Sequence, residues 1–217
     1  MTRMKFLFSS LLLAALTTLA LAQAGFVAQP YGDQTVNADG SVTLPQGGVL
    51  RDNRRGYSVD ATFIHYKDNE YLRATNAKLK NNTGQSINAK SLDFDIKADR
   101  MNIVGPLDFS DNNVANLRAS KAVVYVAGKK TVAFNVSAAS PKVRADAAVF
   151  DNNRAEVFLY GNYEFVSKDG KQRGSGAGAN ASVIINFADA DKPRITSSKA
   201  IPAGLLQTYV SLVNQSR

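Results

Sequence analysis

Apolar and polar residues alternate along much of the chain between residues 57 and 187. In one such stretch, Leu92, Phe94 and Ile96 alternate with Asp93 and Asp95. A period of two is that of a β-strand with one buried face, and this region nowhere keeps the 3.6-residue period of a helix. Turns rich in Asn, Asp, Gly and Lys separate the stretches, at a spacing that predicts meandering antiparallel strands. These turns are Lys67–Asn69, Asn81–Gly84, Asp111–Asn113, Gly128–Lys130, Asp151–Asn153 and Lys168–Gly170.

The segments on either side of this region have different patterns. Residues 25–56 are rich in Gly, Asn, Gln and Asp, and only Ser41–Leu44 is predicted as a strand, so we expect an irregular N-terminal arm or lid. In the C-terminal tail, residues 188–217, apolar residues after Pro202 fall at helical spacing. They predict a short amphipathic helix that caps an open end of the sheet. These residues are Leu205, Leu206, Tyr209, Val210 and Val213.

The first 24 residues have the pattern of a secretory signal peptide. Arg3 and Lys5 precede a nearly continuous apolar run, Phe6–Ala22, and small residues then occupy both ends of Ala22-Gln23-Ala24. We therefore expect export to the periplasm or cell envelope, with cleavage after Ala24. The alternative is a retained membrane anchor, for which the run is slightly short because a span needs about 20 apolar residues.

The composition argues against several classes of function. The chain has no cysteine and a single histidine, His65, so we expect no thiol chemistry, no metal site and no cofactor. Removing Arg3 and Lys5 from the formal charge of +8 leaves +6 on the exported part. A basic surface suits anionic lipid, acidic polysaccharide or nucleic acid, and export makes nucleic acid the least expected of the three.

The polar residues do not form a recognisable catalytic motif. Asp93, Asp95 and Asp99 are candidates for the paired carboxylates of a glycosidase, but the first two alternate with apolar residues and are expected to face solvent. No Gly-x-Ser-x-Gly elbow accompanies His65. The Gly-rich loop Arg173–Gly178 lacks the Lys-Ser/Thr pair of a phosphate loop. We expect no enzyme activity, and keep a cell-wall hydrolase as an alternative.

The strand region contains a weak internal repeat. Ile87-Asn-Ala89, Phe94-Asp95 and Gly105–Phe109 recur 56 residues later as Val143-Arg-Ala145, Phe150-Asp151 and Gly161–Phe165. A degraded copy lies between them, offset by about 30 residues from the first: Leu117-Arg-Ala119, Val124-Tyr125 and Phe134-Asn-Val136. Each copy predicts a strand, a polar turn and a second strand, stacked on its neighbours to bury a continuous apolar trough. An ordinary sandwich whose strands merely look alike is the alternative.

The last copy resembles the OstA-like periplasmic domains of lipopolysaccharide transport. The resemblance rests on Val143-Arg-Ala-Asp-Ala-Ala-Val-Phe-Asp-Asn-Asn153, Val157-Phe-Leu-Tyr-Gly-Asn162 and Lys168-Asp-Gly170. That family commonly has an Ala-Asp step, a Tyr/Phe-Asp turn and a Gly-Asn-Val strand ending near Asp-Gly. Here Tyr163 stands in place of the usual Val, the first copy has Gly105-Pro106, and the middle copy has Asn135 instead of Gly. The similarity covers about residues 59 to 187.

The resemblance implies an all-β fold, an incomplete antiparallel β-jelly-roll in which residues 57–187 form a folded-over sheet of strand-turn-strand repeats. Such a sheet shields acyl chains in an apolar groove and stacks through free edge strands. The implied groove residues are Phe94, Ile96, Ile103, Leu107, Phe109, Phe134, Val157, Leu159, Tyr163 and Phe165. The implied headgroup residues are Lys97, Arg100, Arg118 and Arg144.

The expected function is therefore that of a non-catalytic envelope protein. Its expected partners are a lipid or lipopolysaccharide-like amphiphile and edge-to-edge β partners, either components of an envelope transport system or further copies of the chain. The alternative is a structural or surface-layer-associated β protein with a packed core and no ligand. An open apolar groove would favour the first interpretation, and tightly closed sheets would favour the second.

Overall fold

The computed structural model describes residues 26–52, 57–81, 86–109, 116–189 and 192–217. The predicted signal peptide lies outside these ranges. Within them are sixteen strands, a 3-10 helix at Ser198–Ala200 and one α-helix, α1, at Ala203–Ser216. The strands are β1 (Val27–Pro30), β2 (Thr35–Val36), β3 (Val42–Leu44), β4 (Gly48–Asp52), β5 (Tyr57–Ala61), β6 (Phe63–Lys67), β7 (Tyr71–Asn81), β8 (Ser86–Asp95), β9 (Arg100–Phe109), β10 (Leu117–Tyr125), β11 (Lys130–Ala138), β12 (Lys142–Asp151), β13 (Glu156–Val166), β14 (Arg173–Gly176), β15 (Ser182–Asn186) and β16 (Arg194–Ser197).

The strands form one antiparallel sheet that does not close on itself, so the predicted all-β class with a short C-terminal helix is confirmed. The strands β7 to β13 follow one another as a meander, each paired with the next along the chain. Sequential antiparallel pairing of this kind is the arrangement that short polar turns between alternating stretches favour.

The seven meander strands are long enough to belong to two half-sheets. The first half of β7 pairs with β6 and its second half with β5, while β13 pairs first with β15 and then with β14. We call the side that contains β2, β3, β6, β15 and β16 half-sheet A. The side that contains β1, β4, β5 and β14 is half-sheet B.

A line of backbone irregularities separates the two half-sheets. Positive φ angles or register shifts occur near the middle of all seven meander strands. An extra residue in one strand of a pair bends that strand, so irregularities in register with one another bend the whole sheet along one line. We call this the fold line. Its residues are Asn76, Lys90, Gly105, Ser120, Asn135, Asp146 and Gly161.

The bend brings the two half-sheets face to face. The N–H of Phe187 donates a hydrogen bond to the carbonyl of Ala155, at the half-sheet A end of β13. The ring of Phe187 nevertheless lies 6.3 Å from the ring of Phe165 in half-sheet B. The ten residue-to-residue steps from Ala155 to Phe165 would span roughly 33 Å in a straight strand. The apolar faces of both halves therefore bury each other in one continuous core.

The extra residue at the fold line also preserves the direction of the apolar side chains. In β8, Ile87 and Ala89 are buried before the irregularity, and Leu92 and Phe94 after it. The interval of three between Ala89 and Leu92 breaks the period of two. Without that shift, strict alternation would point the apolar side chains in the second half of β8 toward the outer face.

Gly161 and Asp146 stabilise the bend where β12 meets β13. Asp146 Oδ2 accepts hydrogen bonds from the backbone N–H of Asn162 at 2.8 Å and from its side-chain amide at 2.9 Å. Gly161 has φ +84°, and a Cβ at this position would lie 2.4 Å from Asp146 Oδ2. Only glycine fits here without displacing the carboxylate.

Gly161→Ala is therefore expected to lower the free energy of unfolding by about 2 to 3 kcal/mol, from left-handed backbone strain and the displaced Asp146. Gly204→Ala is the matched control, since nothing lies within 4 Å of the added Cβ in α1. It should be neutral or stabilising by up to about 1 kcal/mol. Urea unfolding curves measure both, and equal stabilities for the two variants would contradict this account of the bend.

The internal repeat corresponds to successive hairpins of the meander. Ile87 and Val143 are both buried near the start of their hairpins, and Gly105 and Gly161 both lie on the fold line. Backbone hydrogen bonds also join the turns of successive hairpins. The N–H groups of Val126, Asn152 and Phe187 donate to the carbonyls of Asp99, Lys129 and Ala155, at 3.3, 3.2 and 2.8 Å.

The predicted irregular arm is instead part of the sheet across the described residues 26–52. Four strands occupy this segment, and Leu44 and Leu50 are fully buried in the core. The chain crosses from half-sheet A to half-sheet B at Gly47 and Gly48, whose φ angles are +78° and +156°. Because these strands have only two to five residues, turn residues dominate the segment and hide the alternation.

The predicted C-terminal helix is confirmed, but its predicted position at an open end of the sheet is wrong. Helix α1 lies on the outer face, where Tyr209 and Val213 pack over Val149, Phe158 and Ile184 of the sheet in a second apolar cluster. The apolar residues on both faces of β12 and β13 require a cover on the outside.

Candidate functional site

The interior between the half-sheets collects nine of the ten predicted groove residues. Seven of them are buried in the core, and Ile96 and Tyr163 are partly buried against it. These side chains face inward because apolar residues alternate along each strand. The residues added at the fold line keep the apolar side chains on the inner face in both halves of the strand. The buried seven are Phe94, Ile103, Leu107, Phe109, Val157, Leu159 and Phe165.

Phe134 is the exception, because its side chain lies on the outer face. It packs against the cluster beneath α1, and the Lys121 ammonium lies 5.6 Å from its ring centroid. The irregularity at Asn135, with φ +51°, places Ala133 and Val136 inward on either side of it. Phe134 therefore does not line the interior, contrary to the sequence-based assignment.

Two small apolar hollows remain between the half-sheets. Each has a volume of about 20 Å³, whereas pockets that hold a small molecule measure about 300 to 1,000 Å³. The half-sheets are thus closely packed, and an acyl chain fits between them only when they move apart. Both hollows are lined by Phe109, Leu117, Val136 and Phe150.

The side chain of Arg118 does not point into the hollows. It lies on the outer face of half-sheet B, between Leu117 and Ala119, which pack toward the core, and it is 67% exposed. Its Nε donates to Asp108 Oδ1 at 2.8 Å, and the Asp108 side chain is 52% exposed. An ion pair this exposed contributes only about 0 to 1 kcal/mol, and it lies on the opposite face of the sheet from the apolar interior.

The other three predicted headgroup residues lie apart from the hollows. Lys97 Nζ is 3.4 Å from Glu70 Oε2 on an exposed turn. Arg100 Nη2 donates to the carbonyl of Gln215 in α1 at 3.3 Å. Arg144 is exposed on the outer face of half-sheet B, opposite Glu164 in the neighbouring strand. Lys97 and Arg100 line one open cleft of half-sheet A together with Asp93 and Asp95, whereas Arg118 and Arg144 lie on the outer face of half-sheet B. The four cations therefore do not form one site.

The carboxylates considered for hydrolysis have structural contacts. Asp93 Oδ1 lies 3.6 Å from Arg73 Nε on the outer face. Asp95 Oδ1 accepts the N–H of Ala98 at 2.8 Å, and Asp99 Oδ2 accepts the N–H of Ala127. The latter two carboxylates therefore cap turns, which is a common role for Asp at these positions.

Both ring nitrogens of His65 are engaged in hydrogen bonds. Thr43 Oγ1 lies 2.9 Å from Nδ1, and the Tyr71 hydroxyl lies 2.8 Å from Nε2. These contacts join β3, β6 and β7, so the histidine ties the N-terminal strands to the meander. Among the described residues, no three metal-ligating side chains come together.

The most buried polar cluster was not predicted from the sequence. The hydroxyl of Tyr209 donates to Asp151 Oδ2 and Glu156 Oε2, each at 3.1 Å, and the tyrosine is fully buried. Lys130 Nζ lies 3.4 Å from Asp151, and Arg154 Nε lies 2.8 Å from Glu156. Burial, reinforced by the two carboxylates, raises the pKa of Tyr209 well above its ordinary value. Tyr209 was recognised only as an apolar helix position.

Among the described residues, both ends of the sheet have strands that pair on one side only. At the N-terminal end the edge strands are β1 and β2, and at the C-terminal end they are β14 and β16. Val27 and Val36, on the N-terminal edge strands, are 55% and 66% exposed, and nearby Tyr31 is 60% exposed. Exposed apolar side chains on an unpaired edge are a feature of surfaces that bind another strand.

Within the part of the chain that the structure describes, no helix has the length and apolar character needed to cross a bilayer. No protein-family model matches the sequence, and no curated protein shows significant sequence similarity to it.

Proposed function

We propose that this chain is an exported, non-catalytic envelope protein that binds the acyl chain of a lipid or lipopolysaccharide-like amphiphile between its two half-sheets. The observation that carries the proposal is the continuous apolar interior between the two halves of a folded-over sheet. The N-terminal signal pattern supports export to the periplasm or cell envelope.

The interior is built so that an acyl chain can enter when the two half-sheets move apart. Among the described residues no disulfide joins the two layers, because the sequence has no cysteine. Alanines such as Ala119, Ala122 and Ala133 line a hollow near the fold line, where larger side chains would fill the space. Each methylene of a bound chain that leaves water contributes about 0.8 kcal/mol, which offsets the weaker packing between layers that have moved apart.

The edge strands, which pair on one side only within the described residues, support a second part of the proposal. We propose that β1 or β2 pairs with an edge strand of another envelope protein or of a second copy. Main-chain hydrogen bonds would supply affinity, and the exposed Val27 and Val36 would add apolar contact.

Photo-crosslinking from neighbouring residues of β9 tests the lipid proposal. Ile103 is fully buried in the interior, whereas Val104 is 41% exposed on the outer face. With benzoylphenylalanine at either position, we expect mass spectrometry of protein isolated without detergent to show acyl adducts from position 103 only. Adducts from neither position, or equally from both, would overturn the proposal.

A packed structural β protein without a ligand is the second candidate, and the small volume of the hollows favours it. In that case the edges, rather than the interior, carry the function. A crosslinker at Val36 would then give protein adducts while position 103 gives no acyl adduct. Acyl adducts from position 103 would exclude this candidate.

A further inference from the structure

We propose that the open cleft on the outer face of half-sheet A binds a neutral saccharide. The cleft lies over β7, β8 and β9, on the opposite face of the sheet from the apolar interior. The proposal therefore stands or falls independently of lipid binding. The cleft has a volume of about 460 Å³, within the range of about 300 to 1,000 Å³ that is typical of sites for small molecules.

The floor of the cleft is a grid of outward-facing polar side chains on three paired strands. Leu72, Phe94 and Met101 are buried in the core, so the residues on either side of each of them face outward. Pairing aligns these outward residues in two rows across the strands, because each lies opposite its partner in the neighbouring strand. One row is Tyr71, Asp95 and Arg100, and the other is Arg73, Asp93 and Asn102.

Two turns and the end of α1 border this floor. The β6–β7 and β8–β9 turns lie at one end of the cleft, and the structure describes every residue of both. The two turns are joined by an ion pair, since Lys97 Nζ lies 3.4 Å from Glu70 Oε2. On the side of β10, α1 ends beside Arg100, whose Nη2 donates to the carbonyl of Gln215 at 3.3 Å.

Further contacts hold the side chains of the floor in place. The Tyr71 hydroxyl lies 2.8 Å from His65 Nε2. The Arg73 guanidinium lies 4.9 Å from the centroid of the Tyr71 ring, and its Nε lies 3.6 Å from Asp93 Oδ1. Asp95 Oδ1 accepts a backbone N–H of the β8–β9 turn at 2.8 Å. Side chains that are already held in this way lose less conformational entropy when a ligand binds.

The charges that line the cleft balance, which favours a ligand without charge. Three lining residues are cations and three are anions: Arg73, Lys97 and Arg100, and Glu70, Asp93 and Asp95. A phosphate or a uronate would be repelled by the carboxylates, and a cationic ligand would be repelled by the basic groups. The side chains of Arg73 and Asp93 are 59% and 56% exposed. Because an ion pair this exposed is weak, both groups can still bind a ligand.

A saccharide suits this surface because each of its hydroxyl groups can both donate and accept a hydrogen bond. One hydroxyl can donate to the Asp93 carboxylate while the next accepts from the Arg73 guanidinium. Asn102, opposite Asp93 in the neighbouring strand, offers a donor and an acceptor on one amide. A hydroxyl-rich ring therefore satisfies groups of both signs without adding a charge. Export, which the N-terminal pattern predicts, would bring the cleft into contact with envelope saccharides.

Titrations followed by NMR test the site, with two neutral tetrasaccharides, chitotetraose and maltotetraose, and the acidic tetragalacturonic acid as probes. We expect the backbone amide signals of Tyr71 and Asn102 to shift with a neutral probe and to stay in place with the acidic one. No shift at these residues with either neutral probe would overturn the proposal. Tighter binding of the acidic probe would also overturn it, because the cleft would then be a site for acidic polysaccharide.

Asp93→Ala should weaken binding of the neutral probe by about tenfold, because a charged acceptor is lost. The matched control is Asp108→Ala. Asp108 also pairs with an arginine, Arg118, but on the outer face of half-sheet B, and its side chain is 52% exposed, close to the value for Asp93. We expect this control to leave the affinity unchanged, and urea unfolding to show similar stabilities for both variants. Equal losses of affinity for the two variants, or no loss with Asp93→Ala, would overturn the assignment.

Discussion

Replacing Tyr209 with alanine is expected to lower the free energy of unfolding by about 3 to 5 kcal/mol, since it removes a fully buried aromatic ring. That ring lies 5.2 Å from the ring of Phe158 on the outer face of the sheet, and its hydroxyl binds Asp151 and Glu156. Chemical denaturation measures the loss. Gln207→Ala, an exposed position in the same helix, is the control and should change stability by less than about 0.5 kcal/mol.

Tyr209→Phe separates the hydroxyl from the ring and is expected to cost about 1 to 3 kcal/mol. It should also change the response to alkali. The pKa of Tyr209 is raised by burial and by the two carboxylates. The folded state therefore holds the phenolic proton more tightly than the unfolded chain, so its stabilisation is complete below about pH 10 and declines above it.

The stability difference between the natural chain and Tyr209→Phe should accordingly shrink as the pH rises above about 10. Denaturation curves recorded across that range measure it. A difference that stays constant or grows with pH would show that the hydroxyl is not held as a neutral donor between the carboxylates.

Phe165→Ala is the second large expected effect, with a loss of about 3 to 5 kcal/mol in the free energy of unfolding. Phe165 is fully buried, and its ring meets Phe187 across the two half-sheets. Phe134→Ala is the matched comparison, since this ring lies on the outer face and is only partly buried beside α1. It should cost about 1 to 2 kcal/mol, because part of its surface already meets water.

This pair of variants tests the folded-over arrangement directly. The sequence assigns both phenylalanines to one groove, whereas the structure places them on opposite faces of the sheet. Similar losses for the two variants would contradict the structure. A large difference in the expected order would confirm that the layers bury Phe165 and leave Phe134 outside.

Much of the inward-facing apolar surface followed from alternation. Phe94, Ile103 and Leu159 were predicted to face inward because each occupies an apolar position with a period of two, and each is buried in the interior. The prediction failed at Phe134, where the irregularity at Asn135 changes the phase. A residue added to a strand is visible only in the pairing of that strand with its neighbours, so local pattern could not reveal it.

The headgroup residues show a different limit. Sequence position gave four scattered basic residues, and the structure places Arg118 on the outer face of half-sheet B and Arg100 against the end of α1. Whether two cations lie near each other depends on which strands become neighbours after folding. That contact joins residues far apart in the chain, and no short-range pattern encodes it.

The sequence by itself determined the strand class, the hairpin repeat and the C-terminal helix, because each depends on the spacing of apolar residues within a few turns or strands. Only the tertiary structure decided that the sheet folds along one line, that α1 covers the outer face, and that the interior closes around hollows of about 20 Å³. The reason is that each of these features depends on contacts between residues that are distant in the sequence. This holds for the bulges in register, for the facing half-sheets and for the buried Tyr209 cluster. Their geometry is fixed when the layers pack, after the local elements have formed.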